Sequence, residues 1–243
     1  MALLKATLIA LSLASTAALR FSNVFGSHQV LQRNQPLPVW GWGASGPVTG
    51  VWGSEKQSTT ADATGFWKLT FTARAASSAP SSILVSSGGD TAALEDVLVG
   101  DVVFCSGQSN MEFTTNDVVN ATDELSRANN YPLIRVTSGP LQGKLHLNSI
   151  PPGPSAERLA VDLPWAIANA STIGGVGGGG GWDFFSALCW LSLRDTFDAN
   201  VAAGDTVPLG GVVECYGGTS IQYWSSGDAL AACPLAATNP GSA

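Results

Sequence analysis

Charge is scarce in this chain. Asp, Glu, Lys and Arg together make up 12% of its 243 residues, about half the roughly 25% usual for soluble domains. The 11 basic residues are outnumbered by 18 acidic ones, for a net charge of −7, and they form no cluster. That disfavours nucleic acid or any other phosphate-backbone partner. Histidine is limited to His28 and His146, and the four cysteines include no Cys-x-x-Cys pair. The usual zinc arrangements are therefore missing, and no metal or other cofactor is expected. No apolar run reaches the roughly 20 residues needed to cross a bilayer. Hydrophobic residues, at 45%, are plentiful enough to form a core rather than a disordered chain.

What is plentiful is glycine, proline and tryptophan, at 28, 13 and 8 residues, a composition that suits strands, turns and aromatic packing. The amino terminus has its own character. Lys5 precedes an apolar stretch from Ala6 to Leu13, and small residues follow from Ala14 to Ala18. This is the layout of a secretory signal over residues 1–19, which predicts a secreted or lumenal protein with no membrane attachment after cleavage. Disulfides persist in that setting. Cys105, Cys189, Cys215 and Cys233 allow three pairings, and spacing selects none of them. Asn120-Ala-Thr122 and Asn169-Ala-Ser171 fit the glycosylation acceptor pattern.

From residue 20 to 94 short apolar or alternating runs are broken by Gly, Pro and Ser, as in a small antiparallel β domain. Val39–Trp42, Val48–Trp52, Phe66–Phe71 and Ile83–Val85 read as its strands, with a turn at Asp62–Gly65. The tryptophans read as sandwich core. Residues 95–243 read differently. Val97–Cys105 is a nearly continuous apolar run, as a strand buried on both faces would be. Ser106-Gly-Gln-Ser-Asn110 follows, and then a helix-compatible stretch from Met111 to Asn130. A further strand is expected at Leu133–Val136 and a loop at Ser138–Pro154. Residues 174–181 hold seven glycines in eight but lack a P-loop's Lys-Ser/Thr, so they read as a flexible connector. Trp182–Ala199 has the apolar spacing of a helix. Leu209–Cys215 reads as a second buried strand ending at Tyr216-Gly-Gly-Thr-Ser-Ile221. Strand, turn and helix in this order predict an open α/β sheet behind the β domain.

Ligands of open α/β sheets bind beyond the carboxyl ends of the strands. Two such ends are readable, Gly107-Gln108-Ser109 and Gly217-Gly218-Thr219. If the strands are neighbours, Ser109 stands at a helix start with its hydroxyl facing a cleft. The glycines then offer backbone N–H groups that no Cβ obstructs. A serine nucleophile beside N–H donors is half of an acyl-transfer site.

Phe104-Cys-Ser-Gly-Gln-Ser-Asn-Met111 closely resembles the nucleophile block of the sialate O-acetylesterases, members of the SGNH hydrolase superfamily. Val30-Leu-Gln-Arg33, Val39-Trp-Gly-Trp-Gly43 and Leu94–Asp101 are similar to the same family, in order. So are Asn120-Ala-Thr with Glu124-Leu-Ser126, Phe185–Trp190, and Gly217–Ile221 with Trp224-Ser-Ser226. The resemblance implies an SGNH-type, flavodoxin-like three-layer α/β domain behind a β-sandwich-like one. It implies Ser109 as nucleophile attacking the acetyl carbonyl of an O-acetylated sugar. Gly217 or Gly218 is then an oxyanion donor with the Ser109 N–H, and Gly107, Gln108, Asn110 and Thr219 support them.

The family's base, a histidine three residues after an aspartate, has no counterpart. Phe25 stands three before His28 and Gly143 three before His146. About two strands of the expected parallel sheet are present, which predicts uncovered apolar edges. The chain reads as an amino-terminal part of such an esterase with impaired activity. Two alternatives stand beside that reading: a non-catalytic secreted glycan-binding or structural protein, and a xylan-type polysaccharide acetylesterase.

Overall fold

The computed structural model describes residues 18–139, 161–174 and 185–233. The signal-like segment to residue 17, His146, most of the 138–154 loop and most of the glycine run lie outside them. In chain order the strands and helices are β1 (Arg20–Phe21), β2 (Val30–Gln32), β3 (Leu37–Trp42), β4 (Pro47–Trp52), β5 (Glu55–Thr60), β6 (Trp67–Phe71), β7 (Ser77–Ser87) and β8 (Asp90–Gly107). These are followed by α1 (Ser109–Glu112), α2 (Ala121–Ala128), β9 (Ile134–Ser138), β10 (Leu163–Ile167), α3 (Ala170–Gly174), α4 (Ala187–Ala202), β11 (Leu209–Cys215) and α5 (Gly227–Ala232).

Alternation builds the first layer. Along β6 the pattern Trp67-x-Leu69-x-Phe71 turns every second side chain inward, as a strand's two-residue period requires. The three-stranded sheet β1-β3-β6 closes over β4, β7 and the first part of β8. Val39, Trp67, Leu69 and Phe71 meet Val48, Trp52, Ile83, Val85 and Val97 in one core. Trp52 and Trp67 are buried there, in the core role the sequence assigns them, and Trp42 is buried against Phe66.

β8 is the spine of the molecule. Its first part pairs antiparallel with β7, and its last seven residues pair parallel with β11. The boundary between residues 94 and 95 thus falls inside one unbroken strand. β9, at the further strand expected over Leu133–Val136, runs parallel beyond β11, and β10 closes that side antiparallel. α4 covers one face of this sheet. Its Phe185-side start, Cys189 and Leu193 lie so close to Gly211 that an added Cβ would come within 2.4 Å of Leu193 Cδ1. Ile134, Val136, Leu209 and Val213 form the core beneath Trp190 and Leu193.

The stretch Met111–Asn130 divides into α1, a 3-10 turn at Thr115–Asp117 and α2. Val97–Cys105 is not covered throughout. Val103 and Phe104 are 39% and 61% exposed, because β8 has no strand neighbour on its second side there. Among the described residues no helix is long and apolar enough to cross a membrane.

Candidate functional site

The two candidate loops leave adjacent strands. Cys215 pairs with Gly107 at the end of the parallel ladder, and the Tyr216 N–H donates to the Gly107 carbonyl at 3.0 Å. Two residues further along each chain stand Ser109 and Gly217. Ser109 is the first residue of α1 and is half-buried, with Gln108 and Asn110 exposed on either side. Gln108 carbonyl accepts from the N–H groups of Met111 and Glu112. The amides of Ser109 and Asn110 precede any intrahelical acceptor, as at every helix start. Gly107 has φ +149° and an added Cβ would sit 3.3 Å from Met111 Cβ, so the turn into α1 needs glycine.

The opposing loop is fixed by its own side chains. Thr219 Oγ1 donates to the Tyr216 carbonyl at 2.7 Å and accepts from Trp224 Nε1 at 2.9 Å. Between these anchors Gly217 is half-buried and Gly218 is exposed, with φ +80° and nothing within 4 Å of an added Cβ.

Three features behind the loops are not readable from spacing. The first is the disulfide, Cys105–Cys189, which ties the end of β8 to α4. The second is the start of α4, where Ser186 Oγ caps the Cys189 N–H at 3.1 Å and also reaches Met111 Sδ at 3.3 Å. The Ala187 N–H meets the Phe113 carbonyl, so α1 and α4 lock together. The third is a set of acidic groups and a thiol at the ends of α1 and β11. Glu112 is buried one helical turn after Ser109. Burial, then the charges of Glu112 and Glu214, push the Cys215 thiol up to about 12. Burial and then the charge of Asp162 push Glu214 up to about 7. A carboxylate directly after the Gly-Gln-Ser-Asn-Met run was the available signal for Glu112.

His28 stands beside the middle of β8, away from its Gly107 end. Its Nδ1 lies 2.7 Å from Asp96 Oδ2, and ten residues of β8 stand between Asp96 and Gly107, at most roughly 35 Å of strand at about 3.3 Å per residue. The structure keeps it away from Ser109. Among the described residues no group of three or more His, Cys, Asp or Glu is arranged to hold a metal ion.

No family model matches the chain. It is 38% identical over 144 residues to sialate O-acetylesterase of Homo sapiens, covering 59% of this chain and 24% of that protein. To sialate O-acetylesterase of Rattus norvegicus it is 32% identical over 227 residues, covering 88% of this chain and 39% of that one. The crystal structure of a carbohydrate acetylesterase from Xanthomonas citri superposes with a TM-score of 0.69 at 27% identity, over 87% of this chain and 43% of the other. The chain thus spans between a quarter and two-fifths of the length of these curated relatives. In sequence and in its mixed α/β fold, the chain belongs to the sialate O-acetylesterase family of SGNH hydrolases.

Proposed function

We propose that the chain carries the nucleophile half of a secreted serine carbohydrate esterase that hydrolyses O-acetyl esters of sialic acid or a related glycan. One observation carries this reading: the turn bearing Ser109 and the turn bearing Gly217 and Gly218 leave paired strands, joined by the Tyr216-to-Gly107 hydrogen bond. Ser109 Oγ, relieved of its proton by a base, attacks the acetyl carbon. The N–H of Ser109 and that of Gly217 or Gly218 hold the oxyanion. Collapse expels the sugar alkoxide, which takes up a proton, and water then frees acetate from the serine. Gly107 shapes the nucleophile turn, Gln108 and Asn110 flank Ser109, and Thr219 holds the glycine loop closed. Each oxyanion donor contributes roughly 3–4 kcal/mol of transition-state stabilisation.

His28, the histidine among the described residues, pairs with Asp96 rather than with Ser109, and the 243 residues contain no histidine three positions after an aspartate. That observation favours a second reading for the chain by itself, a glycan-binding or structural protein with a silent half-site. Without a triad's base, roughly a thousand- to ten-thousandfold over water remains, from the oxyanion hole and binding. A xylan-type acetylesterase would use the same chemistry on another alcohol. Export bears on the two acceptor asparagines. Asn120 is exposed, and its side-chain amide donates to Glu124 Oε1 at 3.3 Å. Asn169 instead caps α3, its Oδ1 accepting from Ser171 and Thr172 and its Nδ2 donating to Ile167. Asn120 is therefore the better presented of the two. In an enzyme with the complete site, Ser109→Ala is expected to abolish acetate release from p-nitrophenyl acetate. Unchanged turnover removes Ser109 as nucleophile.

A further inference from the structure

β7 and β8 lose their register over one short stretch of the β domain. Ser77 pairs with Val99 and Ser81 with Val97, so four steps along β7 match two along β8. The residues between, Ser78, Ala79 and Pro80, are exposed, as in a bulge, and Pro80 has no N–H to offer a ladder. Beside them opens a pocket of about 410 Å³ whose walls include Trp52, Arg74, Ser77, Ala79, Pro80 and Val99. Small-molecule sites span roughly 300–1,000 Å³, so this one has room for about one sugar ring. Its back wall is fixed. Trp52 Nε1 donates to Ser81 Oγ at 2.8 Å, and that hydroxyl donates to the Val97 carbonyl at 3.0 Å. The Arg74 guanidinium lies over the Trp52 ring, 4.0 Å from its centroid, a cation–π contact. Arg74 Nη2 donates to the Trp52 carbonyl and to Glu55 Oε2, each at 3.0 Å. The other two nitrogens have no acceptor among the described residues: Nε is buried without one, and Nη1 makes no hydrogen bond. Ser77 Oγ accepts from the Ala79 N–H at 3.3 Å, and its own proton is free to be donated.

We propose that this pocket is a second binding site, which takes the acetyl group of an acetylated sugar unit. The acetyl carbonyl accepts from Arg74 Nη1 and the Ser77 hydroxyl, and its methyl lies against Ala79, Pro80 and Val99. Spare donors select a ligand that accepts. A carbonyl does so without a proton of its own to place, whereas a sugar hydroxyl brings one that needs an acceptor in turn. Glu55 selects a neutral ligand. Its carboxylate already holds the Arg74 charge, so a carboxylate ligand would meet a like charge across the same guanidinium, in a chain of net charge −7. The apolar side chains on the remaining wall suit a methyl group. The Arg74 side chain is 30% exposed, which lets the ring that carries the acetyl group stay toward solvent. Val99 stands eight positions before Gly107 on β8, at most roughly 26 Å of strand at about 3.3 Å per residue. The site is therefore separate from the Ser109 and Gly217 loops, and it uses nothing of the esterase reading.

The test titrates the full chain with methyl N-acetyl-β-D-glucosaminide and follows the backbone amides by nuclear magnetic resonance. Saturable binding with a Kd on the order of 1 mM is expected for one ring held by two hydrogen bonds, with the largest shifts at Ala75, Ser77, Ser81 and Val99. Methyl β-D-glucoside, which has a hydroxyl in place of the acetamido group, and sodium acetate should each bind at least about tenfold more weakly. Arg74→Lys keeps a positive charge but removes the fork of donors, and it should weaken the acetamido sugar by about tenfold or more. Ala79→Leu fills the pocket from an exposed position and should weaken it as much with an unchanged Tm, so the test stands even if Arg74→Lys fails to fold. The proposal is overturned by an absence of saturable binding, by equal binding of the glucoside or of acetate, by shifts confined to the loops of Ser109 and Gly217, or by affinity indifferent to Ala79→Leu. The sugar carries an amide and no ester, so neither result bears on the esterase reading.

Discussion

At Gly107 the backbone holds φ +149° and leaves 3.3 Å between an added Cβ and Met111. Gly107→Ala is expected to lower stability by about 1–2 kcal/mol, measured as a drop in the urea midpoint. An unchanged midpoint would mean that the turn relaxes freely. Glu214 is a second residue with a measurable signature. Its carboxyl rises from 4.5 to about 7 through burial and the neighbouring Asp162 charge. A carboxyl with a higher value in the folded state favours folding when protonated. Its contribution is complete below pH 4.5 and is lost as pH rises through 7. Urea midpoints of the native protein should fall between pH 5 and pH 8, and Glu214→Gln should flatten that fall. Equal slopes for the two proteins would show that Glu214 titrates normally.

Elements show which parts of the fold were legible and why. Leu209–Cys215 is read to the residue because a run interrupted by charge only at Glu214, after Pro208 and shortly before Gly217, leaves a buried strand little room to shift. β5 was missed. Its sequence Glu-Lys-Gln-Ser-Thr-Thr is polar on both faces, and pairing with β4 rather than patterning makes it a strand. Val97–Cys105 was read as covered on both faces since local sequence cannot count its neighbours across the sheet. The Ser109 and Gly217–Gly218 turns were legible because each follows a strand directly, whereas the cysteine pairing needed three dimensions. That pairing joins β8 to α4 across 84 residues, and a loop of that length is worth about 4–5 kcal/mol in the chain-entropy description. The free thiols should separate by reactivity. Cys215 is buried with its thiol at about 12, and Cys233 is exposed. Iodoacetamide at pH 8 should label Cys233 in the native protein and reach Cys215 only after unfolding. Native labelling of Cys215 would contradict the packing at the end of β11.

The whole molecule depends on how the β layer is held to the α/β layer, and β8 is only one of the ties. Trp165 of β10 reaches back to donate its Nε1–H to the Val24 carbonyl at 3.0 Å. Arg135 of β9, 4% exposed, grips Asp96 with both terminal nitrogens, Nη1 at 2.6 Å and Nη2 at 3.3 Å. His28 joins from the loop before β2, and both His28 and Asp96 sit at positive φ, 71° and 52°. Burial alone would raise the Asp96 carboxyl, but the hydrogen bonds from Arg135 and His28 outweigh it and hold the group below its usual range. A lowered carboxyl contributes stability above pH 3.8 that disappears as pH falls through its folded value. Asp96→Asn removes the charge, and Asn tolerates the left-handed backbone, so the substitution leaves Arg135 buried without its carboxylate at little change in strain. The expected loss is about 3 kcal/mol, and acid unfolding of the variant should begin from a lower plateau. His28→Ala touches a side chain that is 46% exposed and should cost under about 1 kcal/mol. If the two substitutions cost the same, the buried Arg135–Asp96 pair is not what holds the layers together, and the continuous strand β8 with the Trp165 contact must carry that role.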